Sequence, residues 1–220
     1  MMQCASVRTA GARAWRSRTK DLACETIPWR FTDKDAIAVS GQGKVPVLLD
    51  GERCVSDSWA IAEYLETTYP ARPSLFGGVA GRALVRFVNQ WTSEVLHMAI
   101  ARAILPELYA ILHEKDRDYF RSTREAALGI SLTDLAAQRE DALVQLCKTV
   151  QPLRSTLAAQ PFLAGAAPNY ADHVAFAAFQ WARIASPVVL LAEDDTVRAW
   201  CERMLDAYGG IARAAPRATP

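Results

Sequence analysis

Gly43-Lys44-Val45-Pro46-Val47-Leu48-Leu49-Asp50-Gly51-Glu52-Arg53-Cys54-Val55-Ser56-Asp57-Ser58-Trp59-Ala60-Ile61-Ala62-Glu63-Tyr64-Leu65 is the stretch whose reading decides the fold. Val45 to Leu49 is a short apolar run of strand length, and Asp50-Gly51 is the strongest short-range hairpin signal in the chain. Arg53-Cys54-Val55 is the returning strand, so the two strands are expected to pair antiparallel. A helix follows from Ser56 or Asp57 to about Thr68. Ile61, Ala62, Leu65 and Tyr69 fall at helical spacing, an acid stands near the start where the helix dipole favours it, and Tyr69-Pro70 ends the run.

Upstream, Ile27, Trp29 and Phe31 alternate with polar or small residues, the period of a half-buried strand, and Pro28 puts that strand at an edge. Thr32 to Ile37 reads as a short helix capped by Thr32 and stopped by Ser40-Gly41-Gln42-Gly43. Downstream, Ala71-Arg72-Pro73-Ser74-Leu75-Phe76-Gly77-Gly78 has linker composition. It divides the chain into an α/β domain, residues 1–78, and an all-helical domain, residues 79–220. Beyond Gly78 the strand signals vanish. One helix is expected over about Ala80 to Tyr109, bent or ended by Pro106, and a second over about Thr133 to Ala159, with Pro152 as a kink. Asn169-Tyr170-Ala171-Asp172 is a variant capping box. The helix it opens, through Ile184, is apolar on every face and should be the centre of the helical domain. Asp195 to Tyr208 supplies a last amphipathic helix, and the basic tail after Gly209 is expected to fray.

Composition narrows the function classes. With 25 Lys and Arg against 24 Asp and Glu, there is no global field to draw in nucleic acid or an anionic membrane. The five cysteines, Cys4, Cys24, Cys54, Cys147 and Cys201, form no Cys-x-x-Cys pair and suit reduced thiols in a cytoplasmic setting. His97, His113 and His173 lack metal-ligand spacing, so no metal site is expected. The apolar stretch Ala171 to Ala192 carries Asp172, His173, Arg183 and Pro187, which a membrane span would not hold together. Arg8, Arg13, Arg16, Arg18 and Lys20 precede the first acid, Asp21, a bias shared with organelle transit peptides; the other reading of this segment is a divergent first βα unit.

Three elements in order carry a family resemblance over roughly residues 22 to 208. Gly43 to Leu48 resembles the Val-Pro element of glutathione transferases, in which the proline is cis. Val55 to Leu65 resembles the acid-Ser-x-Ala-Ile-x-x-Tyr-Leu element that follows it. Phe162-Leu163-Ala164-Gly165 through Ala171-Asp172 resembles the signature at the head of the family's buried central helix. The resemblance implies a thioredoxin-like N-terminal domain whose first βα unit is divergent or incomplete, an all-α C-terminal domain, glutathione as co-substrate, no metal, and a homodimer. It places Val45 and Pro46 against the cysteinyl part of glutathione, Asp57 and Ser58 at its γ-glutamyl end, and Lys44 or Gln42 at its glycyl carboxylate. The physics agrees, because a helix N-terminus presents unpaired N–H groups and a positive dipole end to a carboxylate.

Within the superfamily, Glu25 to Thr32 with Asp35-Ala36-Ile37, and Phe179 to Arg183, resemble a bacterial group that includes β-aryl ether-cleaving enzymes. In that group a Ser-Pro-aromatic-Cys-Trp-Arg element supplies the hydroxyl that lowers the pKa of the glutathione thiol, about 8.5 when free. Here Trp15-Arg16-Ser17-Arg18 aligns with the Trp-Arg part, which sets Gly11-Ala12-Arg13-Ala14 where the serine belongs. Ser17 and Ser6, with Cys4, are the nearby substitutes. Two readings stay open: an enzyme that directs the glutathione thiolate at a hydrophobic electrophile, an aryl ether or another, and a catalytically impaired ligand- or protein-binding module on the same fold.

Overall fold

The computed structural model describes residues 2–7, 19–30 and 32–218. Four strands, β1 (Met2–Val7), β2 (Cys24–Trp29), β3 (Val47–Asp50) and β4 (Arg53–Ser56), form one mixed sheet in the order β2-β1-β3-β4. β1 is parallel to β2 and antiparallel to β3, and β3 and β4 form the hairpin expected at Asp50-Gly51. β2 is the edge strand that Pro28 implied, since a residue without an N–H is tolerated there.

The opening βα unit, expected to be divergent or incomplete, does contain a strand: Met2–Val7 is paired on both sides in the middle of the sheet, while residues 8–18 lie outside the described residues. Met-Gln-Cys-Ala-Ser-Val lacks the alternation that marks a half-buried strand, and its place is set by partners far along the chain. The short helix also shifts. It is a 3₁₀ segment, Lys34–Ser40, ended by Gly41 at φ 67°, and Thr32 does not cap it.

Helix α1 (Ser58–Thr68) packs Trp59, Ile61, Ala62 and Leu65 inward. Residues 69–78 then lead to α2 (Val79–Trp91), which runs through a π-helical turn, Thr92–Leu96, into α3 (His97–Ile111), with Pro106 inside α3. The expected helix to Tyr109 is therefore two helices joined by a widened turn. α4 (Glu114–Leu128) follows, a helix that the sequence reading left unassigned. The second long helix is broken into α5 (Leu132–Ala137), α6 (Arg139–Thr149) and α7 (Gln151–Ala159), with Pro152 seated in the first turn of α7, where no N–H is required of it. α8 (Tyr170–Ala185) has no exposed residue, as its all-round apolarity required, and α9 (Thr196–Gly210) leaves helical geometry at Ala207.

Two large buried clusters hold most of these elements. In the helical domain Ile100, Ile104, Leu146, Leu153, Phe176, Phe179, Trp200 and Met204 close around α8. A second cluster joins Leu48, Trp59, Leu65, Phe76, Val85 and Tyr170, so α1, the connecting segment and the start of α8 share one interior. Trp59, Phe76 and Tyr170 have ring centroids 5.2 to 5.9 Å apart, and the Tyr170 hydroxyl donates to Ser58 O at 3.0 Å. At Gly81 a Cβ would stand 2.0 Å from Phe76 O, so only glycine lets α2 start against this segment. Lys20, 1% exposed, pairs with Glu66 at 2.7 Å and donates to Tyr69 O; Glu66 also accepts from the Leu75 N–H. The tail expected to fray is instead fastened: Gln180 and Arg183 donate to Ala212 O and Ala215 O, and Ala218 N–H donates back to Arg183 O.

Candidate functional site

The residues singled out around the proline and the helix start converge on one corner of the sheet. The Val45–Pro46 bond is cis. Pro46 O accepts from the Asp57 N–H at 3.3 Å, and Val47 pairs with Ser56 across the hairpin, so Val45, Pro46, Asp57 and Ser58 lie together at one end of β3 and β4. Val45 is half-buried against the Trp29, Ile37 and Val47 cluster. Among the described residues its N–H and C=O take no backbone partner.

Asp57 is exposed and adopts φ 79°, ψ 137°, a conformation costly for a residue with a Cβ. Its Oδ1 accepts from the N–H groups of Trp59 at 2.9 Å and Ala60 at 3.0 Å. The capping reading of Asp57 therefore holds, while its second oxygen has no hydrogen bond among the described residues. Ser58, half-buried, is the first residue of α1. Beside this helix start an open groove of ≈ 650 Å³ is lined by Asp57, Trp59, Glu63, Val79, Arg82 and Arg86. Arg86 lies 4.7 Å over the Trp59 ring, and Glu63 pairs with Arg82, whose hydrogen bond holds the Glu63 carboxyl below its usual range.

The basic candidate beside Val45, Lys44, is exposed and makes no hydrogen bond or ion pair among the described residues. A lysine that sequence reasoning passed over is better placed. Lys34 Nζ donates to Gly43 O at 2.7 Å, two residues before Val45, and lies 5.0 Å from the Trp29 ring centroid. Nothing local marks it, because its position depends on the Ser40–Gly43 turn folding back over the 3₁₀ segment. Gln42 is tied into that turn, its N–H donating to Ser40 Oγ at 3.4 Å.

The catalytic candidates separate. Ser6 lies on β1 beside Pro28, one residue past the Ala5–Val47 pair, and thus level with Pro46 in register. Ser17 lies outside the described residues, as do Gly11 to Ala14. Asn169 and Asp172 are structural: Asn169 Oδ1 accepts from the Ala171 N–H, and the Asp172 carboxylate accepts from the N–H groups of Leu163, Ala164 and Asn169 and from the Trp200 indole. His97 stacks on Trp181 at 4.5 Å; desolvation, with the Arg124 cation second, lowers its pKa. No helix among the described residues is long and apolar enough to cross a membrane.

Comparison with known proteins points the same way as this geometry. A family model described as the glutathione S-transferase N-terminal domain matches residues 13–73, and one described as the C-terminal domain matches residues 83–206. A curated relative, the glutathione S-transferase-like protein ustS of Aspergillus flavus, is 28% identical over 136 residues, 57% of this chain and 49% of that protein. The match thus spans about half the length of the curated relative. Among solved structures, the glutathione transferase GSTFuA3 of Phanerochaete chrysosporium superposes with a TM-score of 0.72 at 25% identity, covering 97% of this chain and 93% of that one. A glutathione S-transferase of Ceriporiopsis subvermispora, solved in complex with glutathione, gives 0.77 at 22% identity over 99% of both chains.

Proposed function

Because the chain belongs to the glutathione S-transferase family, we propose that it binds glutathione at the Pro46–Asp57 corner and directs the thiolate at a hydrophobic electrophile. The observation that carries this is the convergence of Val45, whose N–H and C=O take no backbone partner among the described residues, with the exposed N-cap Asp57 of α1. The γ-glutamyl carboxylate takes the helix N-terminus and the Ser58 hydroxyl, where N–H groups and dipole favour an anion. The free oxygen of Asp57 takes the ammonium. Val45 pairs its N–H and C=O with the cysteinyl residue as an added strand would. The glycyl carboxylate goes to Lys34, with Lys44 as an exposed cation on the same turn.

The thiol then lies toward the end of β1. A hydroxyl donor within hydrogen-bond reach stabilises the thiolate and lowers its pKa, and Ser6 is the candidate whose backbone is level with Pro46; Ser17 is the alternative. The proton leaves for solvent, the sulfur forms a bond to the electrophilic carbon, and the electrophile's leaving group departs. The resemblance to β-aryl ether-cleaving enzymes makes an aryl ether the first electrophile to try.

A binding module without turnover is the second reading, favoured by Gly11-Ala12-Arg13-Ala14 where the activating serine is expected. Retention on immobilised glutathione together with conjugation of an aryl halide separates the two. Retention with turnover supports the enzyme, retention without it supports the module, and no retention at millimolar glutathione overturns both. The protein is expected to act in the cytoplasm and to pair with a second copy through the exposed face of Leu84, Phe87, Val95 and Met98, which runs along α2 and α3.

A further inference from the structure

The unassigned helix α4 reaches back to the loop that carries Lys34. Thr32 Oγ1 donates to Asp116 Oδ1 at 2.8 Å, Arg30 stands 4.0 Å from Asp116 Oδ2, and Lys115 pairs with Asp33 at 2.8 Å. Asp116 is 4% exposed, so these partners take the place of water around its charge. One turn on, the Tyr119 ring centroid lies 5.4 Å from Lys34 Nζ, whose other aromatic neighbour is Trp29 at 5.0 Å. All these contacts fall on residues 29–34.

We propose that Tyr119 is a positioning residue of the glutathione site, acting through Lys34, so that the helical domain completes the end of the site that takes the glycyl carboxylate. This rests on the assignment of Lys34 above. A lysine side chain is long and rotamer-rich, and fixing it only when a ligand arrives weakens binding. Here two ring faces and one carbonyl hold the ammonium beforehand. The rings attract the cation through their quadrupoles and use none of its N–H groups. One of its three donors is spent on Gly43 O, which leaves two for a carboxylate. Tyr119 is 40% exposed, so its replacement should leave the fold intact.

Calorimetric titration of the full chain with glutathione and with γ-glutamylcysteine, which lacks the glycyl residue, tests the inference. The wild type should prefer glutathione. Tyr119→Ala should weaken glutathione about two- to five-fold, the worth of an exposed cation–π contact, and leave γ-glutamylcysteine unchanged. Tyr119→Phe should restore the affinity. In a Lys34→Gln background Tyr119→Ala should have no further effect. Equal weakening of both ligands, no change with either, or a Tyr119→Phe variant as weak as Tyr119→Ala overturns the proposal. If the wild type binds glutathione without preferring it over the dipeptide, the Lys34 assignment fails; if it binds neither, the glutathione reading itself falls and this one with it.

Discussion

Two helix starts in this molecule use the same residue chemistry to opposite ends. α1 and α8 each open on an acidic or amide side chain that accepts backbone N–H groups left over by helix geometry. At α8 the device is closed on itself. Asp172 is 0% exposed and accepts four hydrogen bonds, from three amides and an indole, so no lone pair faces solvent. At α1 the device stays open: Asp57 is exposed, uses one oxygen for two amides, and holds its backbone at φ 79°. Burial, and not residue type, separates the closed cap at α8 from the open one at α1, the one we propose as the ligand site. Capping motifs alone would have treated the two alike.

The largest expected effect is at the closed end. Asp172→Ala strands three amides and the Trp200 indole in the interior, and denaturant unfolding should show a loss of about 3–5 kcal/mol, with each buried donor left unsatisfied adding to it. A loss below about 1 kcal/mol would break the contrast. At the open end, Ser58→Ala should cost far less stability than Asp172→Ala and weaken glutathione in a calorimetric titration by about 1.5–3 kcal/mol, the value of a hydrogen bond to a charged group. The reverse pattern would make Ser58 a structural residue. Asn169→Ala should lower stability by about 1 kcal/mol, the usual worth of an N-cap, and leave glutathione affinity alone.

The subtlest effect is in pH dependence. Desolvation, opposed by its hydrogen bonds, raises the Asp172 pKa above its ordinary value. An acid with a raised folded-state pKa contributes stability that is full below the unfolded value, about 3.9, and is lost as pH rises through the folded value. Wild type measured against Asp172→Asn from pH 3 to 7 should show this descending difference, and a flat difference would show that its hydrogen bonds cancel the cost of burial.

The hairpin, α1, and the capped, apolar α8 were legible because each rests on local signals: Asp50-Gly51, the helical spacing of Ile61 and Leu65, and the Asn169–Asp172 box. The corner itself was legible only through the order of its motifs. What escaped the sequence depends on distant partners. β1 earns its place from residues 24–29 and 47–49, not from its own pattern. α4 carries little apolar signal because Lys115, Asp116 and Arg117 turn their charges to other segments and Phe120 is its one buried apolar residue. Thr32 looked like a cap and is a tie to α4, a role no window of sequence displays.

The central position of α8 bears on how the protein is made. On the ribosome α2 through α7 emerge before the helix they pack around, so Ile100, Ile104, Leu146, Leu153 and Leu157 have no native partner on α8 until residues 170–185 have been synthesised. Until then those side chains lack the α8 surface that buries them, the condition in which a nascent segment is prone to aggregate, whereas the β3–β4 hairpin and α1 draw only on contiguous sequence made earlier.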